Sequence, residues 1–81
     1  MNRSEILNKI IEVCNDVFDD VLVQITDDTL LVEDLGCDSL KKLIFINELE
    51  NVFSITFKLD DSINMSTISD VIDIVELNLR G

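Results

Sequence analysis

The apolar residues of this chain recur at three- and four-residue steps, and this spacing limits its fold more than any other feature. Residues at such steps share one face of an α-helix, whereas a half-buried strand alternates every second residue. The chain contains two glycines and no proline, a composition typical of a helical domain and not of a turn-rich β fold. Because 81 residues suffice for one small core, we predict a single domain over residues 1–81.

Four helices are predicted, and together they define the fold class. Their expected ranges are residues 4–18, 39–52 and 59–65, with a fourth helix that begins at Thr67 or Ser69. Ser4 is the predicted cap of the first helix. The expected fold is therefore all-α, a small four-helix bundle with a long loop between helices 1 and 2 and a short third helix.

The segment between the first two helices is interpreted as a structured loop. Residues 21–25 could form a short strand, but the chain offers no convincing second strand to pair with it. The loop side chains expected to pack onto the bundle are Leu22, Ile25, Leu30, Leu31 and Leu35. Val52 and Leu79 are assigned to the core faces of helices 2 and 4. Cys14 is expected in the core and Cys37 in contact with solvent, both as reduced thiols, although a disulfide between them remains open.

The charge of the chain excludes several classes of partner. Six basic and 17 acidic residues give a net charge of −11, so the surface repels nucleic acid and anionic membranes and attracts basic protein surfaces. Disorder is not expected, because 47% of the residues are hydrophobic. No segment has the length of a membrane span or the pattern of a secretory signal, so we expect a cytoplasmic protein. We also expect a monomer, and self-association through Leu43 and Ile44 remains open. A metal centre is not expected either, since histidine is absent and two cysteines form no ligand cluster.

Segment 35–40, Leu-Gly-Cys-Asp-Ser-Leu, is the part of the chain best suited to chemistry. Ser39 follows a glycine turn at the start of helix 2, but a chain without histidine offers it no imidazole base for hydrolysis. Asp38 is a good N-cap, and the N–H groups at a helix start favour a phosphate on the serine oxygen. The Asp38 charge opposes that phosphate unless water or a divalent cation screens it. From these residues alone, Ser39 is either an attachment point or part of a simple helix cap.

Segment 33–40, Glu-Asp-Leu-Gly-Cys-Asp-Ser-Leu, resembles the attachment motif of the acyl carrier proteins. The resemblance continues at residues 53–55 and 65–72, which are similar to the family's sequences after its second helix and before its last. It implies that Ser39 carries 4′-phosphopantetheine, whose thiol holds an acyl chain as a thioester, and that Asp38 helps to mark the modification site. The implied partners are a phosphopantetheinyl transferase and the enzymes that load, elongate or tailor the acyl chain. The chain itself would not be an enzyme.

The start of helix 2 departs from typical fatty-acid carriers, in which this helix is strongly acidic. Lys41 and Lys42 follow the motif, Ile44 stands where an acidic residue is common, and Asn47 replaces a frequent methionine. The docking residues implied by the resemblance are Leu40, Lys41, Leu43, Ile44, Asn47 and Glu48. Exposed charges influence partner choice more than affinity, so we hypothesise a stand-alone carrier for polyketide or related natural-product assembly. A fatty-acid carrier with unusual surface residues is the alternative within the family.

Further alternatives concern where an acyl chain would bind and which class of function the chain has. An acyl chain could insert between the helices, with Phe45, Ile46, Leu49, Ile68 and Ile72 as candidate pocket residues, although ordinary core packing also explains them. The rival outside the carrier class is an acidic helical adaptor that binds partners through helix 2, with Ser39 only a cap residue. A peptidyl or D-alanyl carrier would share the serine attachment but differ in cargo.

Overall fold

The computed structural model describes residues 1–80, and its regular secondary structure is helical. The helices are α1 (Arg3–Val17), α2 (Ser39–Phe53), α3 (Leu59–Asn64) and α4 (Ile68–Arg80). The predicted all-α fold, with its long loop and short third helix, is confirmed. Each predicted helix end differs from the observed one by at most one residue, because caps decide helix ends and periodicity does not reveal them. None of these helices combines the length and the apolar character that crossing a membrane requires.

Asn2 caps α1, so the prediction of a Ser4 cap was wrong. The Asn2 Oδ1 atom accepts a hydrogen bond from Glu5 N at 2.8 Å, and Glu5 Oε1 accepts one from Asn2 N at 3.0 Å. This reciprocal pair is a capping box, which satisfies two backbone N–H groups at the start of the helix. Ser4 consequently lies inside the first turn.

The core lies between α1, α2 and α4, because α1 packs against both of the other long helices. The Phe18 and Phe45 rings have a centroid separation of 5.3 Å and an interplanar angle of 48°, a tilted geometry that aromatic pairs favour. The fully buried side chains include Ile6, Ile10, Cys14, Phe45, Leu49, Ile68, Val71 and Val75. Short helix α3 contributes no buried residue and lies on the outside of the bundle.

Val52 and Leu79 are exposed, which corrects their assignment to the core. In α2 the buried residues Phe45, Leu49 and Phe53 follow one another at four-residue steps, and Val52 lies beside that stripe. In α4 the last buried residue is Val75, so Leu79 lies one turn beyond the end of the core.

Backbone hydrogen bonds fasten the loop between α1 and α2 to the junction between α3 and α4. They run from Leu31 N to Ser66 O at 3.0 Å, from Ile68 N to Thr29 O at 2.9 Å, and from Ser69 N to Asp27 O at 2.8 Å. An isolated antiparallel bridge between Leu30 and Thr67 accompanies them. The loop is thus a fixed part of the fold, held by backbone hydrogen bonds similar to those between the strands of a sheet.

Three of the five loop residues predicted to pack onto the bundle are buried, namely Ile25, Leu31 and Leu35. The prediction was wrong for Leu22, which is 92% exposed, and for Leu30, which is 37% exposed. Leu30 forms the isolated bridge to Thr67, whereas Leu31 begins the turn over residues 31–35, so the two neighbouring side chains differ in burial. Leu22 precedes the segment that the backbone bonds hold against the bundle.

Cys37 is buried, contrary to the expectation that it contacts solvent, and Cys14 is fully buried as expected. The Cys37 N–H donates to Leu31 O at 3.0 Å, which holds this part of the loop against the core. Both cysteines are free thiols. Burial raises the pKa of Cys14 to about 12 and also raises the pKa of Cys37. Neither thiol is therefore activated as a nucleophile, because the thiolate is the reactive form.

Asp70 organises the start of α4. Its Oδ2 atom accepts hydrogen bonds from Ser66 N at 2.9 Å and from Thr67 N at 3.0 Å, and Thr67 Oγ1 accepts one from Asp70 N at 3.1 Å. The backbone N–H of Ser66, followed by that of Thr67, lowers the pKa of the Asp70 carboxyl below its ordinary value. A carboxylate with a lowered pKa stabilises the fold above the unfolded-state pKa near 4, and this contribution is lost as the pH falls through the folded-state pKa.

We expect Asp70→Asn to lower the free energy of unfolding by about 1 kcal/mol at pH 7, the usual effect of weakening a helix cap. The difference from wild type should shrink below about pH 4, because the wild-type carboxyl then also becomes neutral. Urea titrations at pH 7 and pH 3 measure the difference in the free energy of unfolding between the variant and wild type. Asp28→Asn, which changes an exposed loop carboxylate, is the matched control. An equal deficit at both pH values would show that the carboxylate charge is not responsible.

Candidate functional site

A tight turn, held by the backbone of Leu31, leads into α2. Gly36 adopts a φ of +66°, a conformation that side chains rarely allow and glycine adopts freely. The next residue, Cys37, donates its N–H to Leu31 O, while Leu31 N donates to Ser66 O. The residues before α2 are therefore connected through Leu31 to the junction between α3 and α4.

Ser39 is the first residue of α2, and it is exposed. Asp38 is the N-cap: its Oδ1 atom accepts from Lys41 N at 2.8 Å, and its carbonyl oxygen accepts from Lys42 N at 2.9 Å. The first N–H groups of a helix have no partner within the helix, and the helix dipole is positive at this end. The surroundings of the Ser39 oxygen thus favour an anion. The part of Asp38 in marking the modification site stays a prediction.

Lys41 connects the start of α2 with the end of α1. Its Nζ atom donates to Val17 O at 3.1 Å and lies 3.4 Å from Asp19 Oδ2. Val17 is the last residue of α1, where helix carbonyls carry partial negative charge, so a cation is favourable there. The Lys41 ammonium group therefore already has intramolecular partners, and Lys41 is set apart from the other docking candidates for this reason. Sequence reasoning missed the contact because Lys41 and Val17 are 24 positions apart.

The remaining docking candidates form one surface of α2, here called the docking face: Leu40, Leu43, Ile44, Asn47 and Glu48. The first three of these residues are apolar and exposed. Leu40 and Leu43 are about two-thirds exposed, and Ile44 is 43% exposed. Asn47 is exposed and Glu48 partly buried. Clustered apolar side chains on a soluble surface usually mark an interaction site. That partners dock here is still a prediction.

The five pocket candidates belong to the core or its edge. Phe45, Leu49, Ile68 and Ile72 are buried, and Ile46 is partly buried against them. An acyl chain could reach them only if the helices separated, since well-packed side chains leave few gaps larger than a water molecule. Their role as the lining of an acyl pocket therefore remains a prediction.

Comparison with known proteins identifies the class. The family described as "Phosphopantetheine attachment site" matches residues 8–75. The acyl carrier proteins of Exiguobacterium sibiricum and Coprothermobacter proteolyticus are each 32% identical to this chain, over 94% and 98% of its length and 96% of their own. The solved structure of the acyl carrier protein from Enterococcus faecalis superposes with a TM-score of 0.76 at 29% identity, covering 96% of this chain and 99% of that one.

The matched region thus defines a phosphopantetheine-attachment domain. Within that class, the chain belongs to the acyl carrier protein family. It is a carrier and not an enzyme, and its cofactor is 4′-phosphopantetheine, which supplies the thiol for an acyl thioester. Members of the family work with a phosphopantetheinyl transferase and with biosynthetic enzymes.

The residues at the start of α2 fit such a group. An exposed hydroxyl at the first helical position leaves room for a covalent arm, and the helix start favours the phosphate. The neighbouring thiol of Cys37 is buried, so Ser39 is the accessible nucleophile of this segment.

We expect Lys41→Met to lower the free energy of unfolding by about 1 kcal/mol, because the Val17 carbonyl loses its charged donor in a partly exposed setting. Lys42→Met, which removes a charge one residue later, should change stability by less than about 0.5 kcal/mol. Urea denaturation of the unmodified proteins measures both. Equal effects of the two substitutions would contradict the structural role of Lys41.

Proposed function

We propose that Ser39 carries the 4′-phosphopantetheine arm and that this chain presents acyl intermediates to the enzymes of a dedicated polyketide or natural-product pathway. The observation that carries the proposal is the exposed Ser39 hydroxyl at the start of α2, within the region that matches the attachment family. Its position in the Asp-Ser-Leu motif supports the assignment to Ser39.

The chemistry at Ser39 is nucleophilic: its oxygen would attack the pantetheine-side phosphorus of coenzyme A and become an ester oxygen of a phosphodiester. The pyrophosphate P–O bond would break, 3′,5′-bisphosphoadenosine would leave, and the hydroxyl proton would pass to a base of the transferase. The chain has no histidine to act as a base, and the Asp38 carboxylate already caps the helix. We therefore assign activation of the hydroxyl to the transferase and its metal ion. The carrier contributes position: α2 fixes the serine backbone, and the capped first turn keeps the hydroxyl at the surface.

The pathway assignment rests on the docking face. Leu40, Leu43 and Ile44 are exposed, so this surface is apolar even though the whole chain has a net charge of −11. Apolar burial supplies affinity, whereas exposed charges mainly set partner choice and association rate. A partner with an apolar recess would fit this face better than one that depends on a dense row of basic groups. A fatty-acid carrier is the alternative, favoured by the acyl carrier proteins to which the chain is similar.

Attachment is tested by incubating the unmodified protein with coenzyme A, Mg²⁺ and a broad-specificity phosphopantetheinyl transferase. We expect the intact mass of wild type to increase by one phosphopantetheine and the mass of Ser39→Ala to stay unchanged. Ser4→Ala, which changes another exposed serine in the first turn of a helix, should be modified like wild type. If wild type remains unmodified while a known carrier is modified in parallel, the helical adaptor becomes the better assignment.

Pathway choice is tested by Ile44→Glu, which restores an acidic residue on the docking face. We expect the phosphopantetheinylated wild type to be a poor substrate for a fatty-acid malonyl transferase, and the variant to raise kcat/KM about threefold or more. Asn8→Glu adds the same charge to an exposed position of α1 and should change nothing. If the transferase turns over wild type as well as it does an authentic fatty-acid carrier, the assignment to a dedicated pathway is wrong and fatty-acid synthesis takes its place.

A further inference from the structure

We propose that Lys42 forms an ion pair with the phosphodiester of the arm on Ser39 and so fixes the first part of the arm along α2. This inference rests on the proposed attachment at Ser39. It makes Lys42 a positioning residue for the cofactor, distinct from the docking face and from Lys41.

The helix places Lys42 next to Ser39. Residues three apart are neighbours on a helix surface, and Ser39 and Lys42 have this spacing within α2. Helical side chains lean toward the N-terminus, so the Lys42 side chain covers the turn that contains Ser39. An ammonium group on a four-carbon stem at this position can reach a phosphate bound to the serine oxygen.

The charge of Lys42 acts on the Cys37 thiol, and within residues 1–80 the Lys42 ammonium has no acidic partner. Burial raises the pKa of the Cys37 thiol, and the Lys42 charge partly offsets that rise, so the ammonium lies near the residue two positions before Ser39. Within residues 1–80, the ion pairs involve Arg3 and Lys41, and no carboxylate lies within 4.0 Å of the Lys42 ammonium. Lys42 is partly buried at the surface.

The charges around Ser39 require such a partner. The Asp38 carboxylate caps the helix next to the attachment oxygen, and a phosphodiester there adds a second negative charge. The ammonium of Lys41 is directed to the end of α1 and is not available. Lys42 therefore supplies, from the same helix, a positive charge that offsets this repulsion.

The ion pair is tested by the reactivity of lysine amines toward a small acylating reagent, compared between the unmodified and the phosphopantetheinylated protein. An exposed pair of this kind should slow acylation of Lys42 about 1.4- to 5-fold at low salt. The effect should disappear in about 1 M salt, because salt screens an exposed pair. Lys9, which is also partly buried but lies on α1, is the internal control.

Each outcome of this experiment decides the question. Protection of Lys42 alone that is lost in high salt supports the pair. Protection that persists in high salt means that the arm merely covers the amine, and it overturns the pair. Unchanged reactivity in a protein whose mass confirms modification also overturns the pair, while the proposed function stands. A wild-type protein that resists modification overturns both.

A second measurement follows the phosphodiester itself. The ³¹P resonance of the modified protein should move with salt concentration in wild type and in Lys42→Arg, which retains the charge. In Lys42→Met the resonance should be insensitive to salt and lie at the high-salt position of wild type. If the resonance of Lys42→Met responds to salt as that of wild type does, the response comes from charges other than Lys42. This result would overturn the role of Lys42.

Discussion

The backbone of Leu31 forms hydrogen bonds in two directions, and the presentation of Ser39 depends on both. Its N–H donates to Ser66 O at the start of α4, and its carbonyl accepts from Cys37 N at the start of α2. With the Leu31 side chain only 2% exposed, the loop cannot shift without exposing core. Cys37 is thereby held against the core while Ser39, two residues later, lies at the surface. The position of the serine follows from its place in the capped first turn of α2 and from the burial of its neighbours.

The two adjacent lysines of the first turn of α2 have different surroundings. Lys41 is bound to the end of α1, where it neutralises a helix terminus and holds two helices together. Lys42 remains available beside Ser39. The positive charge of Lys41 is therefore not presented on the docking face, where the exposed apolar side chains include Leu43 and Ile44.

The fold and the position of Ser39 could be predicted from the sequence, because helical periodicity and the Asp-Ser cap are local patterns. The errors have a common origin in contacts between distant segments. The burial of Cys37 depends on a bond to Leu31, and the engagement of Lys41 depends on the end of α1. The exposure of Leu22 reflects where the loop becomes fastened to residues 66–69. Hydrophobicity alone does not reveal such pairings.

The bonds between the loop and residues 66–69 also join segments that are far apart in the sequence. Their two sides are separated by about 40 positions, so a nascent chain contains the whole Asp-Ser-Leu motif long before it contains the partner of Leu31. Until the start of α4 has been synthesised, the segment before Ser39 lacks that anchor. The serine reaches its final surroundings only when nearly all of the chain is present. The backbone bonds that fix the segment before Ser39 therefore depend on residues near the end of the chain, so a change at residues 66–69 reaches the start of α2 through Leu31.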